Sequence, residues 1–261
     1  MFPFLRLGPF LVQLPGLALL LGAWVGAWLA EKEAARFKLD PALVYNLIFY
    51  GLVAGVVGAR LFYAARYLNI YLANPLSLFA LTPATLDPSA GLLIGFAAAA
   101  LYGRQHNLPL RPTLDVLAPG LGAFMVAFGL AHFLSGDAFG APAYRHDNVT
   151  PLPWSVYLWY DYRHPSQIYE TLTAFAVFIL VWRRPARREA QGLNFLLVVA
   201  LSAAARVFLE AFRGDSVIWA GGFRAAQIVG LVVLGACAWL MQRWAYVSDA
   251  HKTHYPEGTS V

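Results

Sequence analysis

Polar and apolar positions in this chain fall into long blocks instead of the short periods of a half-buried strand or surface helix. Apolar runs of bilayer-spanning scale predict helices near residues 10–30, 42–65, 90–104, 114–135, 166–183, 192–212 and 224–244. The fold class that follows is all-α, a polytopic integral membrane protein with about seven transmembrane helices. The 90–104 run is short and carries Gly91 and Gly95, which makes it a candidate for a half-buried or re-entrant segment. No repeat of the kind that marks an inverted-repeat transporter is visible. The pattern describes one membrane domain over 1–247, with an aromatic-rich connection at 136–165 and a flexible tail at 248–261.

The first ten residues hold Arg6 as their one charge, and the apolar run after them continues to Ala30. A cleavable leader wants a basic start and a shorter apolar centre, so a retained first span is expected.

Composition sharpens this picture. The chain is 59% hydrophobic and 13% charged, against about a quarter charged in soluble domains, which excludes a water-soluble fold. The single cysteine, Cys237, lies in an apolar run and offers neither a disulfide nor a thiolate metal site. His106, His146, His251 and His254 lack metal-ligand spacing, so neither a metal nor a cofactor is expected. The net charge of +5 sits mainly in arginines between apolar runs, a pattern of topology and headgroup contact that gives no reason to expect a nucleic-acid partner.

Basic residues also set orientation. Alternate connections carry Lys32, Arg36, Lys38, Arg104, Arg111, Arg183, Arg184, Arg187, Arg188, Arg243 and Lys252. The other set holds Arg6, Arg66, Arg145, Arg163, Arg213 and Arg224. By the positive-inside rule the first set is cytoplasmic, which places the amino terminus outside and the carboxyl terminus inside.

That orientation brings polar and ionisable residues of separate spans to one depth near the outer face. They are Arg60, His132 with Asp137 just beyond it, His164, Gln167 and Glu170 at the start of the fifth span, Arg206, Glu210 and Arg213 on one face of the sixth, and Gln227 opening the seventh. Each alone is explained by pairing or snorkelling. Together, with arginine exceeding carboxylate, they predict a water-accessible cavity suited to an anion, here a lipid phosphate. Trp154, Tyr157, Trp159, Tyr160 and Tyr162 in the long connection suit the headgroup layer, where the segment would serve as a lid or substrate arm. Asp115 and Asn46 read as helix-start caps.

The stretches GARLFY (58–63), LDVLAPGLG (114–122), SGDAFGAP (135–142), RHPSQIYE (163–170) and RVFLEAFR (206–213) resemble, in that order, the prolipoprotein diacylglyceryl transferase family. The resemblance implies seven spans in a bacterial cytoplasmic (inner) membrane with the active side facing outward. It implies transfer of a diacylglyceryl group from phosphatidylglycerol to the lipobox cysteine thiol of a precursor protein, releasing glycerol phosphate. The positions that match by motif are Arg60, His164, Gln167, Tyr169, Glu170, Arg206, Glu210 and Arg213. Arg60, Arg206, Arg213 and Glu210 are expected at the lipid phosphate, and His164, Gln167, Tyr169 and Glu170 as orienting residues. His132, Asp137 and Arg213 are expected to carry the chemistry, with Glu210 orienting Arg206 and Arg213 free for phosphate.

The family pattern is not complete. AGLLIG stands where the family reads HGGLIG, placing Ala90 at the histidine. FGLAHFLSGDAFG stands at the signature GRxGNFxxGExxG, so that Gly129 replaces an arginine, His132 an asparagine and Asp137 a glutamate. Pro15 occupies the place of a first-span tyrosine. Either His132, Arg60 and neighbours take over the missing roles, or the chain is a paralogue that binds lipid or lipoprotein without the transfer. A transporter and an intramembrane protease built on Ser135-Gly136 and His164 are the readings from other classes.

Overall fold

The computed structural model describes residues 3–7, 10–79, 85–145, 149–184, 191–219 and 221–254. Of the positions used above, His146, Arg187 and Arg188 lie outside them. Every apolar run becomes a helix: α1 (Leu14–Arg36), α2 (Pro41–Arg66), α4 (Pro88–Gln105), α5 (Leu110–Ser135), α6 (Ser166–Trp182), α7 (Leu193–Leu209) and α8 (Ala225–His254), with a short α3 (Leu68–Ala73) after α2. Among the described residues five helices are long and apolar enough to cross a membrane: α1, α2, α5, α7 with the turn that follows it, and α8 to Ala245. The last helix runs into the segment read as a flexible tail.

Two short antiparallel hairpins stand beside the helices, β1 (Phe4–Leu7) with β2 (Phe10–Gln13) and β3 (Val156–Leu158) with β4 (Asp161–Arg163). The period-2 signal of three- or four-residue strands is too short to stand out in an aromatic, apolar sequence. At the tip of the second hairpin Trp159 and Tyr160 both take positive φ, 54° and 62°. A two-residue hairpin turn needs that geometry, and it normally recruits Asn and Gly.

Large apolar side chains point outward all along the helices, as in Leu20, Trp24, Leu93, Phe96 and Val232. That is the arrangement of a protein solvated by lipid, where backbone groups are satisfied within each helix and the side chains meet hydrocarbon.

The chain divides into two compact units, Ala30–Thr113 and a larger one made of Met1–Leu29 with Leu114–Val261. In the smaller, α2 and α4 pack along Gly51 and Gly55 on one helix and Gly91 and Gly95 on the other. A methyl on Gly95 would lie 2.9 Å from the Gly51 carbonyl, and one on Gly55 would lie 3.0 Å from that of Gly91. Small residues thus serve helix contact here. The α4 helix is continuous from its N-cap, where Asp87 accepts from the Ala90 N–H at 3.0 Å with Pro88 in the first turn.

In the larger unit α5, α6 and α7 enclose a core of Ala118, Val177, Val181 and Val198. Asp115 does cap a helix start, but that of α7: its carboxylate accepts from the N–H groups of Gly192 (2.6 Å) and Phe195 (3.1 Å). Gly192 has φ of 88° and lies against Trp244, so it is doubly required to lack a side chain.

Candidate functional site

The end of α5, the start of α6 and the end of α7 are joined by backbone pairing of three loop segments. Ala141 N–H donates to Phe212 O (2.8 Å) and Gly214 N–H to Phe139 O (2.9 Å) on one side. On the other, Ala143 N–H donates to Tyr162 O (2.8 Å) and His164 N–H to Ala141 O (3.0 Å). Gly140 and Gly214 approach so closely that a methyl on Gly214 would lie 2.6 Å from the Gly140 carbonyl. The motif stretches 135–142, 163–170 and 206–213 are therefore one structural feature, a backbone clamp that fixes where Arg213 stands.

The start of α6 is fastened to the same clamp. Ser166 Oγ donates to Ala138 O at 2.5 Å and Gln167 Nε2 to Asp137 O at 3.0 Å, and Gln167 is 2% exposed. The Asp137 backbone is thus used, while its carboxylate is exposed and does not line the cavity described below. Arg163 also belongs to the clamp, donating to Leu158 O and Gly140 O (both 3.2 Å) with its guanidinium over the Phe139 ring.

Between α5, α6 and α7 lies a cavity of about 60 Å³ bordered by Ser166, Glu170, Thr173, Ser202, Arg206 and Arg213. Polar side chains at and beside it pair with one another. His132 Nδ1 meets Glu170 Oε2 at 2.9 Å, Arg213 Nη1 stands 4.0 Å from the same oxygen, and Arg206 Nη2 is 3.2 Å from Glu210 Oε2. Glu210 is 1% exposed, and its Oε2 has no aligned hydrogen bond. The Arg206 contact is close enough for an ion pair without donor geometry; we regard it as chiefly electrostatic compensation of a buried carboxylate.

Asp215, outside the motifs considered above, binds Arg213 with two prongs: Nε to Oδ1 at 2.8 Å and Nη2 to Oδ2 at 2.6 Å. Burial pushes the Asp215 carboxyl upward, but the hydrogen bond and charge of Arg213 outweigh it and hold it below the ordinary value. The arginine excess expected from the spans is consequently cancelled, since Glu170, Glu210 and Asp215 face Arg206 and Arg213. Arg213 is the more committed of the two arginines, and Arg206 is the more exposed, at 37% of its side chain against 11%.

Arg224, counted above only for topology, donates to Glu210 O, Arg213 O (3.1 Å) and Ser216 Oγ (3.0 Å) and so ties the 210–216 turn to the start of α8. Its position just before an apolar run was the one available signal. Gln227 Nε2 adds a bond to Val207 O at 3.2 Å.

His164 and Tyr169 lie on a second, apolar cavity of about 430 Å³ with Trp154, Phe208, Leu209 and Phe212. Their polar atoms stand 3.5 Å apart, and the His164 ring packs edge-on to Phe212. Burial lowers the His164 pKa, favouring a neutral ring.

Arg60, in the smaller unit, has its donors occupied by the chain. Nε donates to Leu78 O (3.0 Å), Nη2 to Ser77 O (2.6 Å), and Nη1 to the carbonyl (3.0 Å) and hydroxyl of Thr85, with the Tyr71 ring beneath. Ala90 is buried in the first turn of α4, and Pro15 stands in the first turn of α1.

Comparison with known proteins identifies the family. A family model described as prolipoprotein diacylglyceryl transferase matches residues 3–243. Proteins named phosphatidylglycerol–prolipoprotein diacylglyceryl transferase are similar along nearly the whole chain. The one from Geobacillus kaustophilus is 28% identical over 93% of this chain and 93% of its own, and that from Synechocystis is 30% identical over 96% and 93%. The one from Chromohalobacter salexigens is 33% identical over 80% and 78%. With its membrane-scale helices and a match to all but the ends of its length, the chain belongs to the prolipoprotein diacylglyceryl transferase family.

Proposed function

We propose that this protein transfers a diacylglyceryl group from phosphatidylglycerol to the lipobox cysteine thiol of precursor proteins. The observation that carries the reading is the convergence of His132 from α5, Glu170 from α6, and Arg206, Glu210 and Arg213 from the end of α7 and the turn beyond it onto one cluster, with a cavity between those helices. Displacement at the glycerol carbon needs a cation at the leaving phosphate, and arginine supplies both charge and paired donors there. Arg206 is assigned the first contact because it is the more exposed, with Arg213 behind it, held at its angle by Asp215. His164, Gln167 and Tyr169 act by holding the loops and the apolar cavity. Arg60 acts as an arginine staple within its own unit.

The same proposal takes the chain as one seven-span membrane domain over 1–247, with its amino terminus outside, its carboxyl terminus in the cytoplasm and the cluster facing outward from the bacterial inner membrane. The basic-residue asymmetry supports this. A second reading, lipid binding without transfer, is favoured by the two-pronged Asp215 contact that already occupies Arg213.

The experiment is to incubate a lipobox peptide with the protein in phosphatidylglycerol vesicles and weigh the peptide. A thioether-linked diacylglyceryl mass is expected; bound lipid with an unchanged peptide establishes the second reading.

A further inference from the structure

The α5 and α6 helices come very close at Gly129. A methyl there would lie 2.6 Å from Thr171 Oγ1 and 3.0 Å from the Thr171 backbone N and Cα, so any side chain at 129 must drive the helices apart. Nearly one turn along α5 stands His132, and on α6 Thr171 is preceded by Glu170. The close approach is what lets His132 Nδ1 reach Glu170 Oε2 at 2.9 Å. The imidazole is further oriented by the edge of Phe128, with ring centroids 4.3 Å apart. No hydrogen-bond partner is found for Nε2 among the described residues. The charged groups around the pair are Glu170 itself, Arg213 against it, Asp215 on Arg213, and Arg206 with Glu210 from α7.

A carboxylate on Nδ1 holds a proton there and leaves the lone pair of a neutral imidazole on Nε2. We propose that His132 is the proton acceptor of this site, with Glu170 as its positioning residue and Gly129 as the residue whose missing side chain lets the two meet. The inference rests on the transferase reading above. Nε2 takes the proton from the precursor's cysteine S–H. The resulting thiolate forms an S–C bond to the glycerol carbon of the diacylglyceryl group as the C–O bond to phosphate breaks. The electron pair leaves on the phosphate oxygen, which then receives the proton from Nε2. Glycerol phosphate departs and His132 is neutral again.

The test uses full-length protein in phosphatidylglycerol nanodiscs with a lipobox peptide, comparing the parent with His132→Gln, Glu170→Gln, Glu170→Asp and Gly129→Ala. Nitrogen-15 histidine spectra, with His132 assigned by its loss in His132→Gln, read the tautomer; thioether formation gives kcat and KM; iodoacetamide trapping of the peptide thiol reads its activation. In the parent, His132 should be protonated at Nδ1 only. Glu170→Gln should lower kcat on the order of 100-fold at unchanged KM, Glu170→Asp should recover part of it, and Gly129→Ala should lose the tautomer signature along with kcat. A parent carrying its proton on Nε2, or a Glu170→Gln variant that loses thermal stability but keeps kcat, overturns the assignment. If the parent forms no thioether, the transferase reading fails and trapping still decides. Faster thiol alkylation beside the parent than beside His132→Gln upholds the proton acceptor, and equal rates overturn it.

Discussion

Arg60 in the smaller unit and the Arg206–Arg213 pair in the larger one look alike as sequence: each is an arginine toward the end of an apolar helix, inside a family motif. Their surroundings differ in kind. Arg60 meets carbonyl oxygens of 77, 78 and 85, partners that fix a chain path and carry no net charge. Arg206 and Arg213 meet carboxylates beside a cavity, partners that carry charge of their own. An arginine satisfied by backbone shapes the protein; an arginine satisfied by carboxylates around a void is the one to test for ligand.

The contrast predicts unequal responses. Gly95→Leu should have the largest effect, roughly 3 kcal/mol or more from overpacking, because its side chain would enter the Gly51 and Gly55 backbone. Thermal unfolding and reduced cross-linking between cysteines placed on α2 and α4 would check it; an unchanged contact would mean the helices are not held by small residues. Arg206→Ala follows, at roughly 2–3 kcal/mol, a buried-pair penalty discounted for the exposure of Arg206. It leaves Glu210 buried without its 3.2 Å partner. Glu210→Gln in the same background should recover stability, and a double variant no better than Arg206→Ala would show that the pair is incidental.

Arg60→Lys should cost about 1–2 kcal/mol through lost donors and leave binding of phosphatidylglycerol by the folded protein unchanged. Arg206→Lys should instead weaken that binding more than it lowers Tm. Reversal of these two results, read by lipid titration and thermal melts, would exchange the roles assigned to the regions.

Acid should act on the larger unit through Asp215. Its folded-state pKa is depressed, so its contribution is present above the unfolded value of about 3.9 and is lost as pH falls through the folded value. The Tm gap between parent and Asp215→Asn should therefore narrow in that acid window. Tyr144 runs the other way: Asp161 hydrogen-bonds and raises it above 10, so that contribution is lost as pH rises past the folded value. A Tyr144→Phe melt should show a flatter alkaline decline. The smallest effect is expected at the hairpin tip, where Trp159→Asn with Tyr160→Gly should raise Tm by about 1 kcal/mol equivalent or less by relieving two positive φ angles.

Much of the site could be read from residue type. His132, Glu170, Arg206, Glu210 and Arg213 are costly in hydrocarbon, and that cost marks them without knowledge of their neighbours. Asp215 escaped because it lies in a polar connection where a carboxylate is unremarkable, and Arg224 for the same reason. The free Arg213 expected from the spans was a count of charges along helices, and the two-pronged contact with Asp215 arises in the turn beyond α7.

What the sequence determined by itself is the helical membrane scaffold and the family, because apolar run length against bilayer thickness and the order of motifs are both one-dimensional properties. Only the tertiary structure decided which polar groups pair. Backbone pairing among 139–143, 162–164 and 212–214, and the close approach at Gly129, set distances of a few ångströms between residues tens of positions apart. At that range a shift of one helical step separates an ion pair from an empty wall, and hydrophobic patterning does not specify it.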